Sequence, residues 1–516
     1  MFPDLRRSDG ITRTLQERFA GLDLRAGAAE GLLSGASNLS CEAYPLLRPR
    51  KRRRILKTVS SPQGMTAAGG LVYAASGILY AADTVLCAVS AGEKTMLEMG
   101  KRVLVFPDKL CYDRESGTVS SLESHWSGTG AVFTDGTLYG EEAEGNTLRV
   151  SGVSWSTYFK VGDAVTVSGC TESANNKTAV IREIDGDELH FSENCFAAAS
   201  ESGTVHIDRS LPDMDVFCVL DNRLFGAKGD TVYASALGDP TNFNRFDGTG
   251  TDSYAVSTGT PGSFTAAAAF LGCPVFFKED AVFKLYGDRP ENYQLLRSAV
   301  PGVRSDSPRS VAVIGETCFY LGKSGVYSYR GGVPRRISAA LGDTVLHAGV
   351  AGSDDRRYYL NAPDAAGTVH SLVYDTENGL WQQEDSARVL CYAPGGDGLC
   401  ALLSSGTLFC MGGSGGTEEA ALFWRADFTP EGSCTRHRRL LRLILHIELA
   451  VGSSAELLAD FDGGNYVSLA TLSAGKHIRT IPLPPQRAAH IALRLQGTGD
   501  MTLRGIERQY AEGSER

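Results

Sequence analysis

The sequence has no uninterrupted run of about 18 apolar residues, the length a membrane-crossing helix requires, so a helical membrane span is not expected. Its opening, MFPDLRRSDGITRTLQERF, is positively charged but has no apolar stretch behind it, and so does not read as a secretory signal. Positive charge is in short supply: 50 Lys and Arg face 60 Asp and Glu, for a net charge of −10. That balance excludes a chain-wide coat for nucleic acid, which needs clustered cations to displace counterions. No Cys-x-x-Cys occurs, and the 12 cysteines stand singly, mostly within apolar runs such as VLCAV, VFCVL and TLFCM. They are expected to be buried free thiols of a reducing compartment; a disulfide framework or zinc site is the lesser reading. HExxH, Walker, GxSxG and dinucleotide-binding fingerprints are all missing, and the nine histidines are scattered without metal-ligand spacing.

What the sequence does have is glycine, 59 of 516 residues against a usual share of about 7%. Without a G-x-y period, that excess points to tight turns and many short strands. Between about 65 and 425 one pattern recurs: a short apolar run, a Gly, Asp or Asn turn, then a second run carrying an aromatic. It is seen at Gly70–Tyr80, Val103–Tyr112, Val216–Phe225, Val275–Phe283, Cys318–Tyr327, Tyr358–Tyr374 and Leu399–Phe409. Each reads as a β-hairpin. Hairpins recurring so regularly predict a β-propeller of six to eight blades, with a pair of large sandwiches as the alternative.

The repeat is interrupted over 143–209. There Thr147–Val150, Ala164–Val167, Ala179–Ile184 and Glu188–Phe191 predict an inserted small β-barrel of SH3 or OB type. Met411–Gly416 (MGGSGG) has the composition of a flexible joint. Beyond it, short alternating strands from Leu440–Leu449 to Met501–Ile506 predict a jelly-roll-like β-sandwich. The expected organisation is therefore all-β. Residues 1–64 form an arm and first strands that partly close the propeller; 65–142 and 210–428 form the propeller, 143–209 the inserted barrel and 429–516 the sandwich. Helix is expected to be scarce, with two turns over Thr12–Phe19, and Leu22–Leu24 is taken as the closing strand.

The densest charge feature is a run of six cations in seven residues: Arg48, Arg50, Lys51, Arg52, Arg53 and Arg54. In an acidic protein such a run is a candidate contact to DNA or to a neighbouring subunit's carboxylates; otherwise it is a solvated basic edge. Tyr374–Trp381 (YDTENGLW) comes nearest to a sialidase-type Asp box, but occurs once and is equally a hairpin with a packed tryptophan. Asn38 and Asn176 head glycosylation sequons read as chance. No catalytic residue, metal site or cofactor is assigned, and the chain is read as not an enzyme.

Several segments together carry a family resemblance. Phe19–Asp23, Asn38–Arg50, Asn222–Phe243 (NRLFGAKGDTVYASALGDPTNF), Phe276–Gly287, Gly325–Gly332, Ile481–Arg487 and Gln496–Gly499 follow in order across most of the chain. They resemble bacteriophage virion β-propeller proteins, similar to tail hub or nozzle and packaged-DNA stabilisation proteins. The resemblance implies a virion component at the tail or head–tail junction, made in the bacterial host cytoplasm. Its expected partners are further copies of itself, forming a ring that is hexameric in the family; other tail or connector proteins; and genomic DNA held without sequence specificity. The alternatives are a receptor- or glycan-binding tail module and a polysaccharide-degrading propeller enzyme.

Overall fold

The structure is a computed structural model that describes residues 11–25, 31–136, 146–192, 196–246, 248–396, 398–411, 416–418, 422–432, 436–475, 477–484 and 486–515. Most of the glycine-rich joint, 412–415, lies outside them. The fold is all-β, with short 3-10 turns and no α-helix among the described residues. The chain divides into two compact units, residues 72–308 and residues 1–71 with 309–516.

In the unit of residues 72–308 the hairpins grow into propeller blades, antiparallel meanders of four short strands. Val72–Ala75 through Thr84–Ala88 belong to one, Thr95–Met99 through Val119–Ser121 form a second, Val216–Leu220 through Tyr254–Ser257 a third, and Ala266–Phe270 through Gln294–Ser298 a fourth. The turn chemistry explains their register. Asp221 and Asn222 both adopt positive φ, 49° and 56°, as a two-residue hairpin turn requires, and they join Val216–Leu220 to Arg223–Lys228. Inner strands such as Cys273–Phe277 are buried throughout, as expected for a sheet covered on both faces.

The insertion is an eight-stranded sheet with its own core around Phe133, Trp155, Phe159, Val165, Leu189 and Ile207. All four strands expected there are present, at Thr147–Arg149, Ala164–Ser168, Thr178–Asp185 and Glu188–Phe191. The sheet also takes in Ser124–Gly128, Val132–Thr134, Ala199–Ser200 and Val205–Arg209, so it starts before residue 143. Buried Trp155 donates its indole N–H to the Asp187 carbonyl at 2.8 Å and packs edge-on against Trp126.

The unit of residues 1–71 and 309–516 holds three more blades and the sandwich. The blades run over Ala312–Arg336, Val350–Gln383 and Val389–Cys410. The last is completed by Arg54–Thr58, which pairs with Thr407–Cys410. This corrects two expectations. Leu22–Leu24 is not the closing strand, since Leu22 makes a single parallel bridge to Leu33. Thr12–Phe19 is not helical either: Ile11–Gln16 is a strand paired with Met501–Glu515, because a long partner strand rewards the β-branched Ile-Thr-Arg-Thr alternation more than two isolated helical turns would. The sandwich apposes a five-stranded sheet (Ile11–Gln16, Arg436–Leu449, Ile478–Ile481, Arg487–Ala488, Met501–Glu515) to a six-stranded one that includes Leu33–Ser37. Strands from both ends of the sequence therefore build one sandwich, and its core is continuous with buried residues of the neighbouring blades.

The closing strand Arg54–Thr58, the latch of this unit, depends on one glycine. Gly406 has φ +96°, and a Cβ there would lie 1.8 Å from the Val59 carbonyl oxygen just beyond the closing strand. Gly406→Ala is expected to cost at least about 1–3 kcal/mol and to open residues 54–59 to limited proteolysis.

The thiol expectation needs one correction. Cys400 and Cys410, directly opposite one another on adjacent strands, form a disulfide. Among the described residues the cysteines at positions 41, 87, 111, 170, 218, 273 and 318 are free thiols. Pattern reading cannot pair two singly placed cysteines without the strand register that sets them opposite one another.

Candidate functional site

The basic run begins with Arg48–Pro49 paired to Leu39–Ser40 and ends in the closing strand. Its side chains alternate between solvent and the interior. Arg48, Lys51 and Arg52 are exposed, Arg54 is half-buried, and Arg50 and Arg53 are 6% and 7% exposed. Arg50 makes a two-pronged pair with Glu418, 2.7 Å on each prong, and donates Nε–H to the Asn38 side-chain oxygen at 2.8 Å. Arg53 donates to Asp385 and Glu384, both at 2.5 Å, and its guanidinium lies 4.5 Å over the Phe409 ring. Glu418 also accepts the Arg53 backbone N–H at 3.0 Å. Lys51 reaches Glu42 at 2.7 Å. Two of the six cations are thus spent on carboxylates remote in sequence, Arg54 is half-buried and exposed Lys51 is engaged by Glu42, which leaves Arg48 and Arg52 as the remaining outward-facing members.

Burial, the largest influence, would push these carboxylates up, but Arg53, Arg50 and backbone N–H donors together outweigh it, holding both Asp385 and Glu418 below their usual range. Burial likewise works against the charge on Arg53, and Glu384 and Asp385 more than offset it. A carboxyl whose folded pKa is depressed stabilises the fold above its unfolded pKa and loses that contribution as pH falls through the folded value. The unit holding the latch is therefore expected to keep its stability from pH 7 to about 5 and to lose it below about 4. Urea titrations across that range should show a shallower acid loss in Arg50→Met/Glu418→Gln.

A second feature is a groove of about 630 Å³ in the same unit, between the sheet of 312–336 and the turn at 376–379. Strand register sets its floor. Phe319 pairs with Ser328 and Ser328 with Arg335, so the three side chains lie in a row on one sheet face. Arg330 bonds Thr317 through Nε at 2.9 Å. Across the groove stands Tyr374, its ring 6.0 Å from Phe319 and 5.0 Å from buried Trp381, whose indole N–H is anchored on the Ile337 carbonyl at 2.9 Å. Asp375 is fully buried and accepts the backbone N–H groups of Glu377 and Asn378 at 3.0 Å, fixing the rim turn. The Asp-box-like stretch is therefore a capped hairpin with a packed tryptophan, and it forms one wall of the groove.

Both sequon asparagines are occupied within the fold. Asn38 bonds the Phe423 carbonyl and Arg50, and Asn176 bonds both backbone groups of Cys170. Sequence reasoning missed the groove because its residues come from separate strands; the register that aligns Phe319, Ser328 and Arg335 was the signal to follow. Among the described residues no group of three or more His, Cys, Asp or Glu is placed to hold a metal, and no helix is long and apolar enough to cross a membrane.

No protein-family model and no curated protein matches the chain. Solved structures do. The exo-β-1,3-galactanase of Phanerochaete chrysosporium, with galactose, is 11% identical and covers 55% of this chain and 92% of its own, at TM-score 0.21. BBS1N in complex with ARL6DN is 13% identical over 56% of this chain and all of its own, at TM-score 0.23. The phage phi92 endosialidase is 10% identical over 79% of this chain and 69% of its own, also at 0.23. The expectation that the chain is not an enzyme is overturned by this set, in which a galactanase and an endosialidase stand among the matches, and it is withdrawn. At these TM-scores the likenesses assign no reaction to this chain.

Proposed function

We propose that the chain is a structural component of a tailed-phage particle. It would form a ring in the tail hub, nozzle or head–tail connector region that docks neighbouring tail proteins and guides or retains DNA. The observation that carries this reading is the way the chain ends are locked together: residues 11–58 complete both the sandwich and the last blade. Closure by strands remote in sequence suits a part that bears load during DNA passage. The family resemblance of Asn222–Phe243 supports the same reading. Net charge −10 supports a lumen that repels phosphates and lets DNA slide. Arg48 and Arg52, which face outward, are the members of the run suited to a subunit or DNA-end contact.

The test is oligomeric state by mass photometry at micromolar concentration. A ring of one defined size is expected, weakened at least tenfold in Arg48→Gln/Arg52→Gln. A wild-type chain that stays monomeric under these conditions would count against the ring, and an unchanged ring in the variant would remove the two arginines from its interface.

A further inference from the structure

The groove beside the 376–379 turn has features that the ring reading does not use. Its volume, about 630 Å³, falls within the range of small-ligand pockets. Its charge is one-sided. Among the described residues neither Arg330 nor Arg335 has an ion-pair partner, and both side chains are exposed along the groove. The acidic residue on the rim, Glu377, is already taken by Arg356 at 2.8 Å. Phe319 on the floor is 4% exposed and stacked on Tyr358, and half-buried Tyr374 stands across the groove from it with its hydroxyl at the rim beside Gly379. Ser328 and Asn378 add a short hydroxyl and a carboxamide to the walls.

Each part narrows the ligand. Unpaired guanidinium groups present forked donors that match a carboxylate in two-pronged fashion. Aromatic faces pack against the apolar C–H side of a flat ring, while hydroxyl and amide groups at short reach exchange hydrogen bonds with several ligand hydroxyls. Duplex DNA would need a longer line of cations than two. An extended peptide docks through main-chain bonds to an open strand edge, whereas this floor is made of side chains on a sheet face.

We propose that the groove lined by Phe319, Ser328, Arg330, Arg335, Tyr374 and Asn378 is a binding site for a carboxylate-bearing saccharide. Arg330 and Arg335 hold the carboxylate, and half-buried Tyr374, itself packed against buried Phe319, supports the sugar ring. The site is independent of ring assembly, so a monomeric chain retains it.

The experiment is calorimetric titration of the full chain with trimers of galacturonic acid and of N-acetylneuraminic acid, each also as its methyl ester. Binding of at least one acidic trimer is expected, weakened tenfold or more by esterification on the unaltered protein. Arg330→Gln/Arg335→Gln should weaken the acid form tenfold or more with its urea midpoint unchanged, and Tyr374→Phe should weaken it a few-fold. No binding of either acidic trimer would overturn the proposal, as would equal affinity for acid and ester, or undiminished binding by the double variant. An oligo-aspartate peptide that binds as tightly and with the same arginine dependence would overturn the saccharide assignment. The ester comparison needs no mutant, so the result stands even if a variant folds poorly.

Discussion

Arg53→Ala is expected to lower the stability of the unit formed by residues 1–71 and 309–516 by about 3 kcal/mol, because it leaves two largely buried carboxylates with Arg50, 3.9 Å from each, as their remaining cation. Glu384 and Asp385 are 12% and 25% exposed in their side chains, and Arg53 is the cation 2.5 Å from each. Removing it also removes the guanidinium over Phe409, a residue of the strand that Arg54–Thr58 pairs with. The loss should therefore appear first as exchange of the amide protons of residues 54–58. Most of the loss is the desolvation of charge left with a more distant partner rather than the worth of the pair itself. Arg53→Met combined with Glu384→Gln and Asp385→Asn should accordingly recover much of it. If Arg53→Ala instead costs less than about 1 kcal/mol, a surface-pair magnitude, the closing strand is held by strand pairing and the Arg50–Glu418 pair without Arg53.

The second large effect belongs to the other unit. Arg223 is 3% exposed and donates to three backbone carbonyls: Ser235 at 2.8 Å, Asp252 at 2.5 Å and Gly250 at 2.5 Å. It thereby ties the start of one strand to the irregular stretch after Thr231–Ala234. Around it Asp252 caps the backbone N–H groups of Gly248 and Thr249 at 2.7 and 3.0 Å. Arg223→Ala leaves three carbonyls without their charged donor, each costing about 1 kcal/mol or more, and is expected to destabilise residues 72–308 by about 3–4 kcal/mol. Arg223→Lys should recover only part, since one ammonium cannot span three acceptors in a plane. Because Arg53 and Arg223 lie in different compact units, each variant should shift a separate unfolding transition and their effects should add.

The same residues show what could be read ahead of the structure. Every hairpin kernel became a strand pair, because local turn chemistry such as Asp221–Asn222 and short apolar runs are written in adjacent residues. The four central strands of the insertion were legible for the same reason. Ser124–Gly128 was not, since its partner, Val205–Arg209, lies beyond all the other strands of that sheet and its only buried residue is Trp126. The N-terminal arm was read least well. Ile11–Gln16 is nearly all exposed on its own and becomes a strand only because Met501–Glu515 lies beside it. The basic run was recognised as the sharpest charge feature, but nothing local says that Arg50 and Arg53 turn inward while Arg48 and Arg52 turn out. That division depends on Glu384, Asp385 and Glu418, which reach the run from the last two blades and the chain just after them.

The measurement that bears most directly on the proposed role is an electron cryomicroscopy reconstruction of particles produced by the strain that encodes this chain. The account predicts density for the blades and sandwich repeated around an axis at the tail or head–tail junction, with Arg48 and Arg52 against a neighbouring molecule. Particles that are complete and infectious without the chain, or that carry it away from the axis as isolated copies, would contradict it.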